Sequence, residues 1–421
     1  MKFIQPPAEE LKYLRADPLL WAQELDVRPD VAEAIERAAG IRAGQVYWRS
    51  AHDHLYSLEL ADLGRGRPSM ARIYGWWDRY EPRPPEHEID TDLQALMVWV
   101  AESVPSLKAD DLQFTLQISR MRRTWAPGSV ARTPVERFQN LPDYAYEPKF
   151  VEVEGLRIAY VEHGAGDPLL MLHGEPTWGY LYRRMIPTLS KSHRVIVPDL
   201  VGFGRSDKPV PTNAHSYKAH VRWMRGFVTA LDLRRTSLGC QDWGWLIGLR
   251  ALSQIPERFD HVVAMNTALP DGAPLSEAFM QWRRLSQRLE SIDAGAMVGR
   301  ALKKRQLTAA EAAAYSAPYP TVDHQTAALL FPRLVPIRPD HPGAYENRLA
   351  IERLRALDIP VLLPGADGDP ITAAGEKQLR SIFRKAAPPL TIKGAGHFLQ
   401  EDSGEEIAGL IARWLQTGSA V

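Results

Sequence analysis

The sequence predicts an α/β protein: a mostly parallel sheet with helices on both faces, an inserted helical cap, and a mainly helical region ahead of it. Three observations predict this. From about residue 129, short buried apolar runs alternate with amphipathic stretches at the spacing of strand–helix units. Between about 270 and 342 that rhythm breaks into helical, proline-punctuated sequence, although strand-like runs continue on both sides. Before Pro127, apolar residues recur mainly at helical spacing. The expected organisation is therefore a helical segment over 1–128 and an α/β domain over 129–421, with the cap inside it.

Taken in order, PDVAEAIERAAG carries Val31, Ala34, Ile35 and Ala38 on one helical face, with Asp30 as cap and Gly40 as stop. GQVYWRS reads as a short strand or hairpin, and GRGRP and EPRPPEHE as turns. TDLQALMVWVAES repeats the helical pattern through Leu93, Leu96, Met97 and Val100, starting near Thr91 or Asp92. WAPGSVARTPVERFQNLPDY is a connector. After it, KFVEVEGLRIAYVEHG reads as a hairpin turning at Gly155. PLLMLHG and HRVIVPDLVGFG are buried strands ending in glycine loops. The helix-like SYKAHVRWMRGFVTALDL leads to the strand TSLGCQD, followed by the strands in DHVVAMNTALP, PVLLPGADGD and PLTIKGAGH, and EIAGLIARWLQTG closes the chain as an amphipathic helix. An insertion between two strands of such a sheet sits over the carboxyl ends of the strands, where open α/β sheets bind ligands.

Bulk properties narrow the function. Lys+Arg and Asp+Glu both number 51 in 421 residues, so the formal net charge is zero, which argues against nucleic acid or an anionic membrane as the main partner. Cys240 is the single cysteine, so no intrachain disulfide forms, and this suits a reducing, cytoplasmic location. The opening MKFIQPPAEELKYLRAD has no apolar core of a signal peptide, and no run reaches the length of a membrane span. His52 and His54 in SAHDHLY could suggest a metal pair, but two histidines without further ligands read as structural or exposed. The aromatic run around Trp76 and Trp77 reads as an interface or a small core.

The chemistry concentrates in LGCQDWGWLIG. A buried strand, a turn flanked by small residues and then a helix is a nucleophile elbow, and Asp242 stands at its tip where a hydrolase usually carries serine. Candidate acids after a later strand are Asp369 and Asp367, and His397 follows the last strand. Nucleophile, acid, histidine is the α/β-hydrolase chain order. HGEPTWGY follows another buried strand, at the place of the second oxyanion donor. The amides of Glu175 and Trp243 are the expected pair.

A carboxylate nucleophile differs from serine in what it can attack. It is already ionised, so it can displace a leaving group from a saturated carbon and form an ester with the enzyme itself. Water deprotonated by His397 would then attack the carbonyl carbon of Asp242, with Asp369 orienting the imidazole. The target is an alkyl halide or an epoxide. An indole N–H donates without adding a counter-charge, so Trp243 suits a departing halide, and Trp282 in AFMQWRRLSQ is the candidate second donor from the cap. An epoxide needs a proton source, for which Tyr315 and Tyr319 in AAAYSAPYP are candidates. Fluoroacetate would need a basic clamp, and no arginine follows the nucleophile immediately.

From about RTPVERFQNLPDY to the C-terminus the chain resembles the haloalkane dehalogenases, specifically their first subfamily. HGEPTWGYLYRRMIP, DLVGFGRSDKP, QDWG, AYSAPYP, FPRLVP and GAGHFLQED carry the resemblance. It implies Asp242 as nucleophile, His397 as base, Asp369 in DPIT as acid in preference to Asp367, and Trp243 and Trp282 as halide ligands. Glu175 matches this subfamily; the others place asparagine there and take a glutamate acid after an earlier strand, where this chain has Asn266. The resemblance also implies a small haloalkane substrate, water, halide and alcohol products, and no metal or organic cofactor. Cys240 at the first small position of the elbow departs mildly from the pattern. The first hundred and thirty or so residues lie outside the resemblance and leave oligomerisation, a lid or partner binding as candidate roles.

Overall fold

A computed structural model describes residues 2–17, 25–26, 37, 45–62, 68–78, 84–103 and 128–419, except 274, 340, 342, 373 and 374. The chain divides into two compact units, Met1–Thr124 and Trp125–Val421.

The described part of the first unit is built on a sheet, which corrects the mainly helical expectation. Six strands take part: β1 (Phe3–Ile4), β2 (Leu14–Asp17), β3 (Leu25–Asp26), β4 (Gln45–Arg49), β5 (Leu55–Asp62) and β6 (Pro68–Asp78). They pair antiparallel in the order β1-β4-β5-β6-β2, with β3 also on β6. The cause of the misreading is local. Leu55, Tyr56, Ser57 and Leu58 are all buried, so β5 lacks the alternation of a half-exposed strand, and Gly75 and Pro68 make β6 read as turn. The helix expected from Thr91 runs over Glu86–Ser103 and starts five residues earlier. The helix expected over PDVAEAIERAAG lies outside the described residues, apart from Arg37. Trp48 stacks on Tyr56 at 5.2 Å between centroids, and Trp77 meets Tyr56 edge-on at 5.5 Å, so this aromatic run forms a core.

The second unit carries an eight-stranded sheet. Its strands are β8 (Lys149–Val153), β9 (Leu156–His163), β10 (Pro168–Leu172), β11 (Arg194–Pro198), β13 (Thr236–Gln241), β14 (Phe259–Met265), β15 (Pro360–Leu362) and β17 (Lys385–Ala386). The order is β17-β15-β14-β13-β10-β11-β9-β8, parallel from β17 to β11 and antiparallel in the hairpin at the edge. That hairpin turns at Gly155, whose φ of +74° explains the glycine. Two small pairs lie off this sheet: β7 (Val130–Ala131) with β12 (Lys208–Pro209), and β16 (Pro364–Ala366) with β18 (Leu390–Ile392). The run PLTIKGAGH therefore pairs with β16 rather than joining the main sheet.

Between β14 and β15 the chain forms the helices Glu277–Ser286, Ala294–Ala301, Ala309–Ser316 and Thr326–Leu334. Their starts are encoded locally. Ser276 and Asp293 accept the amides of Phe279 and Ala296, and Thr308 with Glu311 forms a capping box. A buried ionic lattice ties these helices to the rest of the unit. Arg183 pairs with Glu311 (2.8 Å) and with Glu401, while Arg305 reaches Glu311 at 2.6 Å and Glu401 at 2.7 Å. Two guanidinium groups against two carboxylates leave no net charge in the interior, the condition under which burial of ions is tolerated.

Candidate active site

Five strand ends converge. β10 delivers His173-Gly174-Glu175, β13 delivers Asp242, and β14 delivers Asn266 and Thr267; β16 and β18 lead to Asp369 and His397. Asp242 has φ +51° and ψ −125°, an unfavourable conformation for a residue with a Cβ, and it opens the helix Trp243–Gln254. The turn closes only because its neighbours are small. A Cβ on Gly244 would stand 2.2 Å from the Leu172 carbonyl oxygen, and one on Gly174 would stand 2.3 Å from Asp242 Oδ1.

The Glu175 amide donates to Asp242 Oδ1 at 2.9 Å. Trp243 is the first residue of its helix, so its amide has no intrahelical acceptor. His397 Nε2 lies 3.7 Å from Asp242 Oδ2, and His397 Nδ1 lies 3.0 Å from Asp369 Oδ2. Asp369 in turn accepts the Ile371 amide at 2.9 Å and the Thr372 hydroxyl. Asp367 is exposed and accepts the Gly394 amide at 2.6 Å, so it shapes the histidine loop rather than meeting the imidazole.

Electrostatics follow this geometry. Burial disfavours the charge on His397, but Asp369 and then Asp242 outweigh it and lift its pKa to about 10. Burial likewise works against an ionised Asp369, and His397, Thr372 and the Ile371 amide overcome it, bringing the carboxyl to about 2. Glu175 is pushed well above the usual carboxylate range by burial and by the Asp242 charge.

Above these groups is a cavity of about 310 Å³. Asp242, Glu175, Trp243 and His397 line its floor, and Leu275, Phe279, Trp282, Leu285 and Met297 line the cap side. Among the described residues neither the Trp243 nor the Trp282 indole N–H has a hydrogen-bond acceptor, in contrast to Trp178, which donates to the Ala314 carbonyl at 3.1 Å. Trp243 is fixed by Tyr217 and Phe331, at centroid distances of 5.2 and 4.4 Å. The epoxide tyrosines are occupied elsewhere. Tyr315 donates to Glu401, and Tyr319 donates to the Pro176 carbonyl at 3.0 Å; neither is among the cavity-lining residues.

Sequence reading gave Asn266 no role beyond not being an acid. Its side-chain amide donates to the carbonyls of Gly396 (2.9 Å) and His397 (3.0 Å), and its oxygen accepts the Ala366 amide at 2.8 Å. It holds the histidine loop against β16. A residue that tolerates positive φ directly after a buried strand was the available signal; its φ is +38°. Gln241 was also passed over. It is fully buried, and its side-chain nitrogen stands 3.2 Å from His397 Nε2.

The sheet, the elbow and the loop after β10 define an α/β-hydrolase, and the family model described as alpha/beta hydrolase fold matches residues 167–404. A haloalkane dehalogenase of Psychrobacter cryohalolentis is 42% identical over 297 residues, which cover 68% of this chain and 98% of that protein. Haloalkane dehalogenase 1 of Mycobacterium tuberculosis is 42% identical over 300 residues, covering 68% and 99%. The tetrameric haloalkane dehalogenase of Paraglaciecola agarilytica NO2 superposes with a TM-score of 0.63 at 34% identity, covering 66% of this chain and 96% of that one. The chain belongs to the haloalkane dehalogenases, and it is a hydrolase that removes halogen from haloalkanes with water. Residues before the matched region have no counterpart in these relatives. Among the described residues no helix is long and apolar enough to cross a membrane, and no group of His, Cys, Asp and Glu is arranged to hold a metal ion.

Proposed function

We propose that Asp242 is the nucleophile, His397 the base, Asp369 its partner, Glu175 and Trp243 the oxyanion amides, and Trp243 and Trp282 the halide ligands. The observation that carries this reading is the Asp242 carboxylate, held by the Glu175 amide on one oxygen and facing His397 with the other, at the floor of an apolar cavity. Asp242 attacks the carbon in line. The carbon–halogen electron pair leaves with the halide between the two indole N–H groups, and an alkyl ester of Asp242 remains.

Ester formation removes the negative charge of Asp242, one of the groups that raise the His397 pKa. With that charge gone the imidazolium gives up its resting proton to solvent, so the imidazole becomes a base only after the first step. It takes a proton from water as the oxygen attacks the Asp242 carbonyl carbon. The amide that held the resting carboxylate now holds the oxyanion, a contact worth about 3–4 kcal/mol of barrier. Collapse expels the alkoxide, which takes the proton from His397, and the regenerated Asp242 carboxyl group passes its proton to the imidazole, restoring the resting pair. No step calls on a metal or an organic cofactor. Glu175 and the Asp369 acid are the features expected of the first subfamily.

The catalytic unit is proposed to be Trp125–Val421, because two thirds of this chain spans nearly the whole length of its relatives. The lone buried Cys240 supports a cytoplasmic location. Bromide release from 1,2-dibromoethane and 1-bromobutane tests the reading, with Asp242→Asn as the paired variant. Release by the wild type alone supports it; equal release by a mass-verified Asn variant overturns it.

A further inference from the structure

Catalysis accounts for the charged groups at the cavity floor, and leaves one charged group on its wall unused. Among the described lining residues, Glu175, Asp242 and His397 belong to the site above, and the remaining charged one is Arg300. It stands in the last turn of the helix Ala294–Ala301 and is exposed. Three other arginines of the cap are engaged. Arg284 pairs with Glu277, Arg305 with Glu311 and Glu401, and Arg333 donates to the Gln287 carbonyl. Arg300 has no ion pair or side-chain hydrogen bond among the described residues. The dipole at a helix C-terminus favours a cation there. That accounts for an arginine in the last turn, but not for its place on the wall of a cavity whose cap side also carries Leu275, Phe279, Trp282, Leu285 and Met297.

A carboxylate near the floor would meet Asp242, so an anionic substrate must keep its charge away from the reacting carbon. An exposed guanidinium can bind a carboxylate that stays partly hydrated, while the apolar wall takes the methylenes between. We infer that the cavity accepts ω-halocarboxylates: chains with halogen at one end, seated at Asp242, and a carboxylate at the other, bound by Arg300. The inference rests on the dehalogenase reading and makes Arg300 a specificity residue, outside the chemical step.

The test measures bromide release by the full chain from 4-bromobutyrate, 6-bromohexanoate and 8-bromooctanoate, each beside its methyl ester. The expected result is an acid-to-ester ratio of kcat/KM that peaks at one chain length. Arg300→Ala lowers that ratio about fivefold, the scale of an exposed ion pair, and does so through KM. Arg300→Glu lowers it about tenfold or more by adding repulsion, and sodium sulfate at high ionic strength narrows the wild-type advantage. A ratio unmoved by either variant means Arg300 serves its helix alone and overturns the inference. So does turnover of the esters with no turnover of the acids, which leaves the dehalogenase reading standing. If no acid, ester or bromoalkane releases bromide, that reading fails and the inference with it.

Discussion

Each of the two units buries a histidine against an aspartate, and the two pairs make their first contact through the same ring nitrogen at nearly the same distance. His397 Nδ1 stands 3.0 Å from Asp369, and His54 Nδ1 stands 3.1 Å from Asp92. What differs is the other ring nitrogen. His397 Nε2 faces Asp242 beneath the cavity, whereas His54 Nε2 faces Glu88 at 3.3 Å, and its ring meets Trp77 edge-on at 5.5 Å. Asp92 also takes His52 at 2.6 Å and the Tyr56 hydroxyl at 3.0 Å. A histidine–aspartate pair becomes catalytic when its second nitrogen opens on a nucleophile and a cavity. Enclosed by further carboxylates and aromatic rings, the same pair is a polar clasp between a strand and a helix.

The sharpest break is Asp242→Asn, expected to reduce bromide release about 10⁴-fold or more, read by halide assay on freshly prepared, mass-verified protein. Asp369→Asn follows, at roughly 10³–10⁴-fold in turnover, because the imidazole loses its orienting charge. In the same variant the His397 ring should titrate well below its wild-type value of about 10, as seen by NMR. Trp282→Phe removes one donor to the halide and should weaken bromide binding about tenfold or more, followed by quenching of tryptophan fluorescence. On the other side of the comparison, His54→Ala should cost about 3 kcal/mol of denaturant stability in the first unit by leaving buried carboxylates without their partner. Its bromide release should stay within about twofold of wild type.

The smallest expected effect is also the most discriminating, since the two pairs should respond to pH in opposite directions. His397 has its pKa raised, so its stabilisation of the catalytic unit is complete below about pH 6.5 and fades as pH rises toward 10. Asp92 is desolvated, yet His52 and His54 hold it well below the usual carboxylate range. Its stabilisation of the first unit is present above about pH 4 and is lost on acidification. Unfolding followed by a probe specific to each unit, at pH 3.5, 7 and 9.5, would reveal this, and parallel shifts in both units would break the comparison.

The same contrast shows what was legible in the sequence. Most of the eight-stranded sheet could be read because its buried parallel strands are short apolar runs, several of them ending in glycine loops, and the elbow because strand, small residues and helix follow one another within a dozen positions; the two-residue β17 carries no such run. In the first unit GQVYWRS was read as a strand or hairpin and forms β4, whereas β5 was missed because residues 55–58 are buried on both faces and β6 because Gly75 interrupts it. Asp92 of the same unit, taken for a helix start, is a side chain whose partners lie about forty residues away on β5 and the turn before it. Contacts of that separation leave no periodic trace. For the same reason Asn266 and Arg300 had no sequence signal strong enough to single them out: one acts through carbonyls 130 residues on, and the other through the cavity it happens to line.

The tight approach of Gly174 and Gly244 to the elbow has a consequence for anyone wishing to redirect this enzyme. A combinatorial library confined to Leu275, Phe279, Leu285 and Met297 explores the cap wall, where new side chains have solvent and cavity to move into. The same randomisation spent at 174 or 244 returns inactive clones, because even a methyl group there displaces either the attacking oxygen or the strand that carries it. Substrate range can thus be altered from the cap while the floor admits almost no variation.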